Sequence, residues 1–180
     1  MSELEHAKRP VSVVAGPYGH PFHPILVTVP IGAWVASLVF DIASHFHSNP
    51  GFLTDGARWL IGIGVIGALA AAVLGFLDLL AIPGGTKAFR TGLTHMGLNL
   101  TVTVAYAVNF LWRGSIESNG EAVAVGPLAL SVVSLLALGA SGYLGGKLAY
   151  HYGVRVASES VQAEGYTDSG RTAPSTGESR

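Results

Sequence analysis

The distribution of apolar and polar positions along this chain is that of a polypeptide built to sit in lipid. Four apolar stretches, about residues 24–43, 59–82, 93–112 and 126–148, each meet the roughly 20 residues a helix needs to cross about 30 Å of hydrocarbon. Between them lie Asn49-Pro50-Gly51, Pro83-Gly84-Gly85 and Ser118-Asn119-Gly120, turn-forming sequences where the chain has to reverse. The pattern predicts an all-α, four-helix transmembrane bundle over residues 20–156, behind a polar leader at 1–19. Residues 157–180 turn to Ser, Glu, Gly and Thr with few large apolar side chains, a composition that predicts a disordered cytoplasmic tail. The leader lacks the apolar region and small-residue cleavage pattern of a secretory signal, so the first span is expected to be retained.

Periodicity within the spans then says which faces look inward. In the second span Gly67, Ala71 and Gly75 form a small-residue stripe, which lets another backbone approach closely in lipid. Asp78 falls about 20° from Gly67 on a helical wheel and is expected to face the bundle. Gly139, Gly142 and Gly146, joined by Ser131, suggest a similar packing side in the fourth span. The third span carries His95, Asn99, Tyr106 and Asn109 within about 40° of His95, with Thr103 on the margin. Such a stripe is costly in hydrocarbon unless it finds partners. It is either interhelical hydrogen-bonding glue or the lining of a ligand, water or proton path. In the first span His23 and Asp41 are eighteen residues apart, five turns or about 27 Å on one helix face. Pro30 between them is expected to kink the helix, because it cannot donate to the carbonyl of Leu26.

Charge sets the orientation. Four spans put both termini and the middle loop on one side, which holds Lys8, Arg9, Lys87, Arg90, Lys147 and Arg155 against Arg58 and Arg113 opposite. The positive-inside bias therefore places both termini in the cytoplasm, and the plasma (inner) membrane is the expected location. A composition of 12% charged residues and a net charge of -1 supports the lipid bilayer as environment and argues against a nucleic-acid partner. With no cysteine in 180 residues, disulfides, iron–sulfur ligation and thioether-linked haem are excluded.

That orientation brings scattered groups to one depth. The entry to span one carries His20 and His23, the exit of span two Asp78, the entry to span three His95 and Asn99, and the exit of span four Tyr150. His20, His23 and His95 are candidate ligands for a b-type haem, and His20, His23, Asp78 and His95 for a metal ion. Asn99, Tyr106, Asn109, Tyr150 and Asp41 are the supporting polar residues. Read blandly, Asp78 pairs with Lys87 or Arg90, and Asp41 pairs with Arg58 or bonds Trp59 among solvated interface residues that include His45 and His47. Trp59, Trp112 and Phe110 read as interfacial anchors.

The segment Gly19-His20-Pro21-Phe22-His23-Pro24-Ile25-Leu26-Val27, then Pro30-Ile31-Gly32, Asp41, Gly75-x-x-Asp78, His95 with Asn99, and Gly145-Gly146-x-Leu148-x-Tyr150 resembles the bacterial membrane family called domain of unknown function 2231. The resemblance covers about residues 20–156 and implies a four-helix membrane protein with no established activity. It also implies redox company, since some relatives are joined to iron–sulfur or c-type haem modules. The expectation is a redox-associated membrane module holding haem b or a metal, with a redox partner or membrane complex. The alternatives are a proton or small-solute permeation protein and a structural subunit without chemistry. No Gly-x-Ser-x-Gly elbow, Walker loop or His-Glu-x-x-His motif is present, so the chain is not expected to be a conventional enzyme.

Overall fold

A computed structural model describes residues 7–8, 21–116 and 120–166. His20, the leader apart from residues 7–8, and the tail beyond 166 lie outside the described residues. Among the described residues the chain is helical, with no strand: α1 His23–Leu26, α2 Thr28–Ser44, α3 Gly51–Leu80, α4 Lys87–Ser115, α5 Val125–Gly146, a π-helical turn Lys147–His151, and α6 Glu159–Glu164. The six-residue α6 buries nothing.

The first apolar stretch is interrupted at Val27, between α1 and α2. Pro30 supplies the cause, because it has no N–H for the carbonyl of Leu26 and its ring crowds that carbonyl. Helix α3 starts eight residues before its apolar stretch, directly after Pro50. Those two extra turns bury Leu53, Thr54 and Ala57 while Phe52 and Asp55 stay exposed, a one-sided pattern that the search for lipid-length apolar runs passes over. Helix α4 also starts early, capped by Thr86, whose hydroxyl accepts from the Phe89 N–H at 3.1 Å.

Three segments are long and apolar enough to cross a membrane: His23–Ser44, Gly51–Leu80 and Val125–His151. Helix α4 is not among them, because Lys87, Arg90, His95, Asn99, Asn109 and Arg113 interrupt its apolar character. Helices α2 and α3 pack as one antiparallel hairpin and α4 and α5 as another, with α3 against α4 and α5 against α2.

The polarity of the assembly is inverted relative to a water-soluble protein. Ile66, Val73, Val104 and Leu136 are each more than 60% exposed, whereas Asp41, Asn109, Ser37 and Ser131 are fully buried. Apolar side chains outside and satisfied polar groups inside are what lipid selects. The central core is Trp34, Ile61, Val102 and Tyr106, with the Trp34 and Tyr106 rings stacked 4.2 Å apart at 10°.

Small residues seat the helices. A Cβ on Gly67 would strike Val29 and Pro30, and one on Gly75 would come within 2.9 Å of His23, so the stripe on α3 is where the first segment rests. The glycines of α5 behave otherwise. Gly139 and Gly142 are exposed, with nothing near an added Cβ, and the packing face is instead Pro127, Ser131, Ser134 and Ser141. That face lies about 60° or more around the helix from the glycines, so Ser131 was on the packing side and the glycine stripe was not.

Candidate functional site

Two polar centres sit at opposite ends of the core. At the end nearest the 45–50 and 116–124 connections, Arg113 donates from Nη1 and Nη2 to the two carboxylate oxygens of Asp41, both at 2.6 Å. Its Nε donates to Asn109 Oδ1 at 2.8 Å and its Nη2 to Ser131 Oγ at 3.3 Å. Asn109 in turn donates to Ser131 Oγ at 2.9 Å and to the Pro127 carbonyl at 3.0 Å. Tyr106 donates to the Ser131 carbonyl at 3.2 Å, and the Trp34 indole to the Ile61 carbonyl at 3.3 Å. Bidentate geometry and filled secondary contacts are what make a desolvated ion pair tolerable.

This corrects the expected partners of Asp41. The carboxylate is fully buried, Trp59 is 73% exposed, and the Arg58 guanidinium stands over the Phe110 ring at 4.8 Å instead. Phe110 is accordingly an inward packing residue, lying under Gly62 as well, while Trp59 and Trp112 do face outward. The residue that sequence reasoning missed is Arg113, taken there as an interfacial charge. The available signal was spacing: Arg113 follows His95 by eighteen residues, as Asp41 follows His23, so the two charges stand at one height.

At the other end His23 and His95 face each other, ring centres 6.4 Å apart and planes at 89°. His23 Nδ1 lies 2.9 Å from the Ala71 carbonyl and His95 Nδ1 lies 2.8 Å from the Ser141 carbonyl. A carbonyl only accepts, so each Nδ1 carries a proton in these contacts. Ser141 Oγ lies 3.0 Å from His95 Nδ1 and donates to the His95 carbonyl at 3.2 Å. The Asn99 amide donates to the His95 carbonyl at 3.0 Å and lies 3.1 and 3.4 Å from Nε2 and Nδ1. A nitrogen that close to both ring nitrogens stands over the ring rather than along the in-plane Nε2 lone pair. Both imidazoles abut a glycine, His23 at Gly75 and His95 at Gly145, where an added Cβ would come within 3.0 Å of the ring.

Asp78, 9% exposed, lies near His23. Its partner is neither Lys87 nor Arg90: Arg155 Nε approaches Asp78 Oδ1 to 2.8 Å. The contact has ion-pair distance without the alignment of a straight hydrogen bond. Arg155 reaches it from a left-handed backbone conformation, φ 62°, while its N–H donates to the Ala7 carbonyl at 3.0 Å. The segment after the π-helical turn is thereby folded under the His end, with Val154 packed on Leu79 and Ile82.

The structure thus brings together His23, His95, Asn99 and Asp78, and separately Tyr106, Asn109 and Asp41. Tyr150 joins neither group, being 93% exposed, because the π-helical turn Lys147–His151 carries it outward. Among the described residues no group of three or more His, Asp or Glu side chains could hold a metal ion.

No curated protein and no solved structure matches the chain. A family model described as predicted membrane protein, domain of unknown function 2231, matches residues 19–158, the stretch that contains both polar centres and every helix that frames them. The chain belongs to that membrane-protein family.

Proposed function

We propose that this is a four-span protein of the plasma membrane, both termini cytoplasmic, that carries a b-type haem between His23 and His95 as a redox-associated module. The observation that carries the reading is the anchored imidazole pair. Backbone carbonyls fix both Nδ1 protons, the outer-shell arrangement that orients metal-binding histidines. An imidazole nitrogen binds a metal at about 2.0 Å, so the two rings must stand close together to hold one metal. The ring centres, 6.4 Å apart, are near enough for both imidazoles to hold one metal-centred group. Haem iron brings four ligands of its own and asks the protein for two, which suits a site with no third donor among the described residues.

When bound, the iron supplies one-electron chemistry. The chain's own part is to hold the two Nε2 atoms at fixed separation through Ala71 and Ser141, and to keep Asn99 and the Asp78–Arg155 pair beside them. Such a module works with a redox partner at the cytoplasmic face. The orientation gains support from the fate of the arginines opposite: Arg113 is spent inside the protein on Asp41 and Arg58 on Phe110. The exposed Lys87 and Arg90 lie at the His end, the side that the positive-inside rule makes cytoplasmic.

The test is an optical spectrum, pyridine haemochrome assay and metal analysis of detergent-purified protein from cells supplied with haem. The expected result is a Soret band with close to one haem per chain. A colourless, metal-free preparation overturns the proposal, and bound zinc or iron without porphyrin replaces haem with a bare metal.

A further inference from the structure

The groups that meet in the centre of this protein are separated along the chain by a constant interval. His23 and His95, Trp34 and Tyr106, and Asp41 and Arg113 are three facing pairs, and the members of each are 72 residues apart. Pro30 and Val102, and Ser37 and Asn109, share that interval and are buried in both copies. The helices behind them repeat at an interval of 70. Trp34 bonds the carbonyl of Ile61 and Tyr106 that of Ser131, while His23 bonds that of Ala71 and His95 that of Ser141. Each imidazole then lies on the glycine four residues further, Gly75 or Gly145. All four buried residues of α5, Pro127, Ser131, Ser134 and Ser141, have buried counterparts at 70 residues less in α3.

We infer that the chain is one helical hairpin present twice in tandem, the copies related by a pseudo-two-fold axis along the membrane normal, and that His23 and His95 are equivalent halves of a single ligand site on that axis. Parallel repeats of this kind place ligand sites where the repeats meet. The ligand class rests on the haem reading above; the symmetry does not. A ligand on the axis would be a metal-centred group held by one imidazole from each hairpin, with neither subordinate.

Two substitutions have broken the symmetry around the pair. Asn99 has Val27 as its counterpart, and Asp78 has Leu148. The first offers a test that only equivalence passes. Asn99 donates to the carbonyl of its own His95, four residues back, and the Val27 N–H already bonds the His23 carbonyl at the same spacing. An amide at 27 therefore finds over His23 the place that Asn99 occupies over His95.

The experiment uses full-length protein in detergent. Asn99→Val lowers the thermal midpoint, and adding Val27→Asn recovers at least half of that shift by moving the amide across the axis. No recovery overturns the inference, as does failure to obtain Val27→Asn protein folded in either background, since an amide without a partner is what non-equivalent hairpins predict. On haem-loaded protein, His23→Ala and His95→Ala each convert a six-coordinate low-spin spectrum to a five-coordinate one, and millimolar imidazole restores it. A variant whose spectrum does not change overturns shared ligation. Wild-type protein without haem removes the proposed function and leaves the axis to be judged by the amide exchange.

Discussion

Replacing Arg113 by Met isolates the energetic logic of the buried ion pair. Asp41 is fully buried and both its oxygens are engaged by Arg113 at 2.6 Å, so the substitution leaves a carboxylate with no water and no counter-charge. Removing one partner of a buried pair costs about 3–5 kcal/mol, and the loss of the Arg113 bonds to Asn109 and Ser131 places the expected value in the upper half of that range. The folded-to-unfolded ratio then falls by about a thousandfold. Removing both charges behaves differently, because pairs replaced by apolar residues of similar volume are close to neutral. Asp41→Leu with Arg113→Met should recover to within about 2 kcal/mol of wild type, the residue being the amide of Asn109 left short of one partner. Unfolding of the purified protein in mixed micelles of rising denaturing-detergent fraction, followed by tryptophan fluorescence, gives both values and their coupling. If Arg113→Met lies within about 1 kcal/mol of wild type, or the double variant loses as much as the two singles together, the pair is not the desolvated, mutually dependent unit described here.

Three further outcomes follow from the packing and the orientation. Gly64→Ala sets a methyl against the Trp34 indole and should cost about 1–3 kcal/mol with a changed Trp fluorescence, whereas Gly32→Ala, with open space around its Cβ, should be neutral or slightly stabilising in the same unfolding assay. Gly75→Ala brings a Cβ to 2.9 Å from the His23 ring and should lower the haem-to-protein absorbance ratio, while Gly142→Ala, which meets nothing, should not; equal loading would separate His23 from the ligand. Because the chain has no cysteine, single Ser48→Cys and Gly84→Cys variants report topology directly, and a membrane-impermeant maleimide applied to intact spheroplasts should label the first and not the second.

What could be read from the sequence was whatever one helix determines by itself. The inward direction of Asp78, His95, Asn99, Tyr106 and Asn109 follows from 3.6-residue periodicity and from the cost of a polar group in lipid; His95, Tyr106 and Asn109 bond across to α5, Asp78 meets Arg155, and Asn99 bonds to His95 on its own helix. The pairing of Asp41 with Arg113 joins residues 72 apart on helices that are not sequence neighbours, and nothing in a single wheel selects Arg113 over the nearer Arg58. Arg155 was hidden for a related reason: it reaches Asp78 only because the chain turns back at Gly153 and Arg155, both at positive φ. The glycines of α5 misled because small residues permit close approach without compelling it, and there the serines took the contact.

The stacked Trp34 and Tyr106 rings have a meaning beyond the core they fill. They stand between the imidazole pair and the Asp41–Arg113 pair, essentially inaccessible to solvent, and close-pack the middle of the core. With the two rings stacked, the polar residues at one end meet those at the other only across the apolar layer of Trp34, Ile61, Val102 and Tyr106. A solute path along the core would require that layer to open, which counts against the permeation alternative and for a site served from the His end.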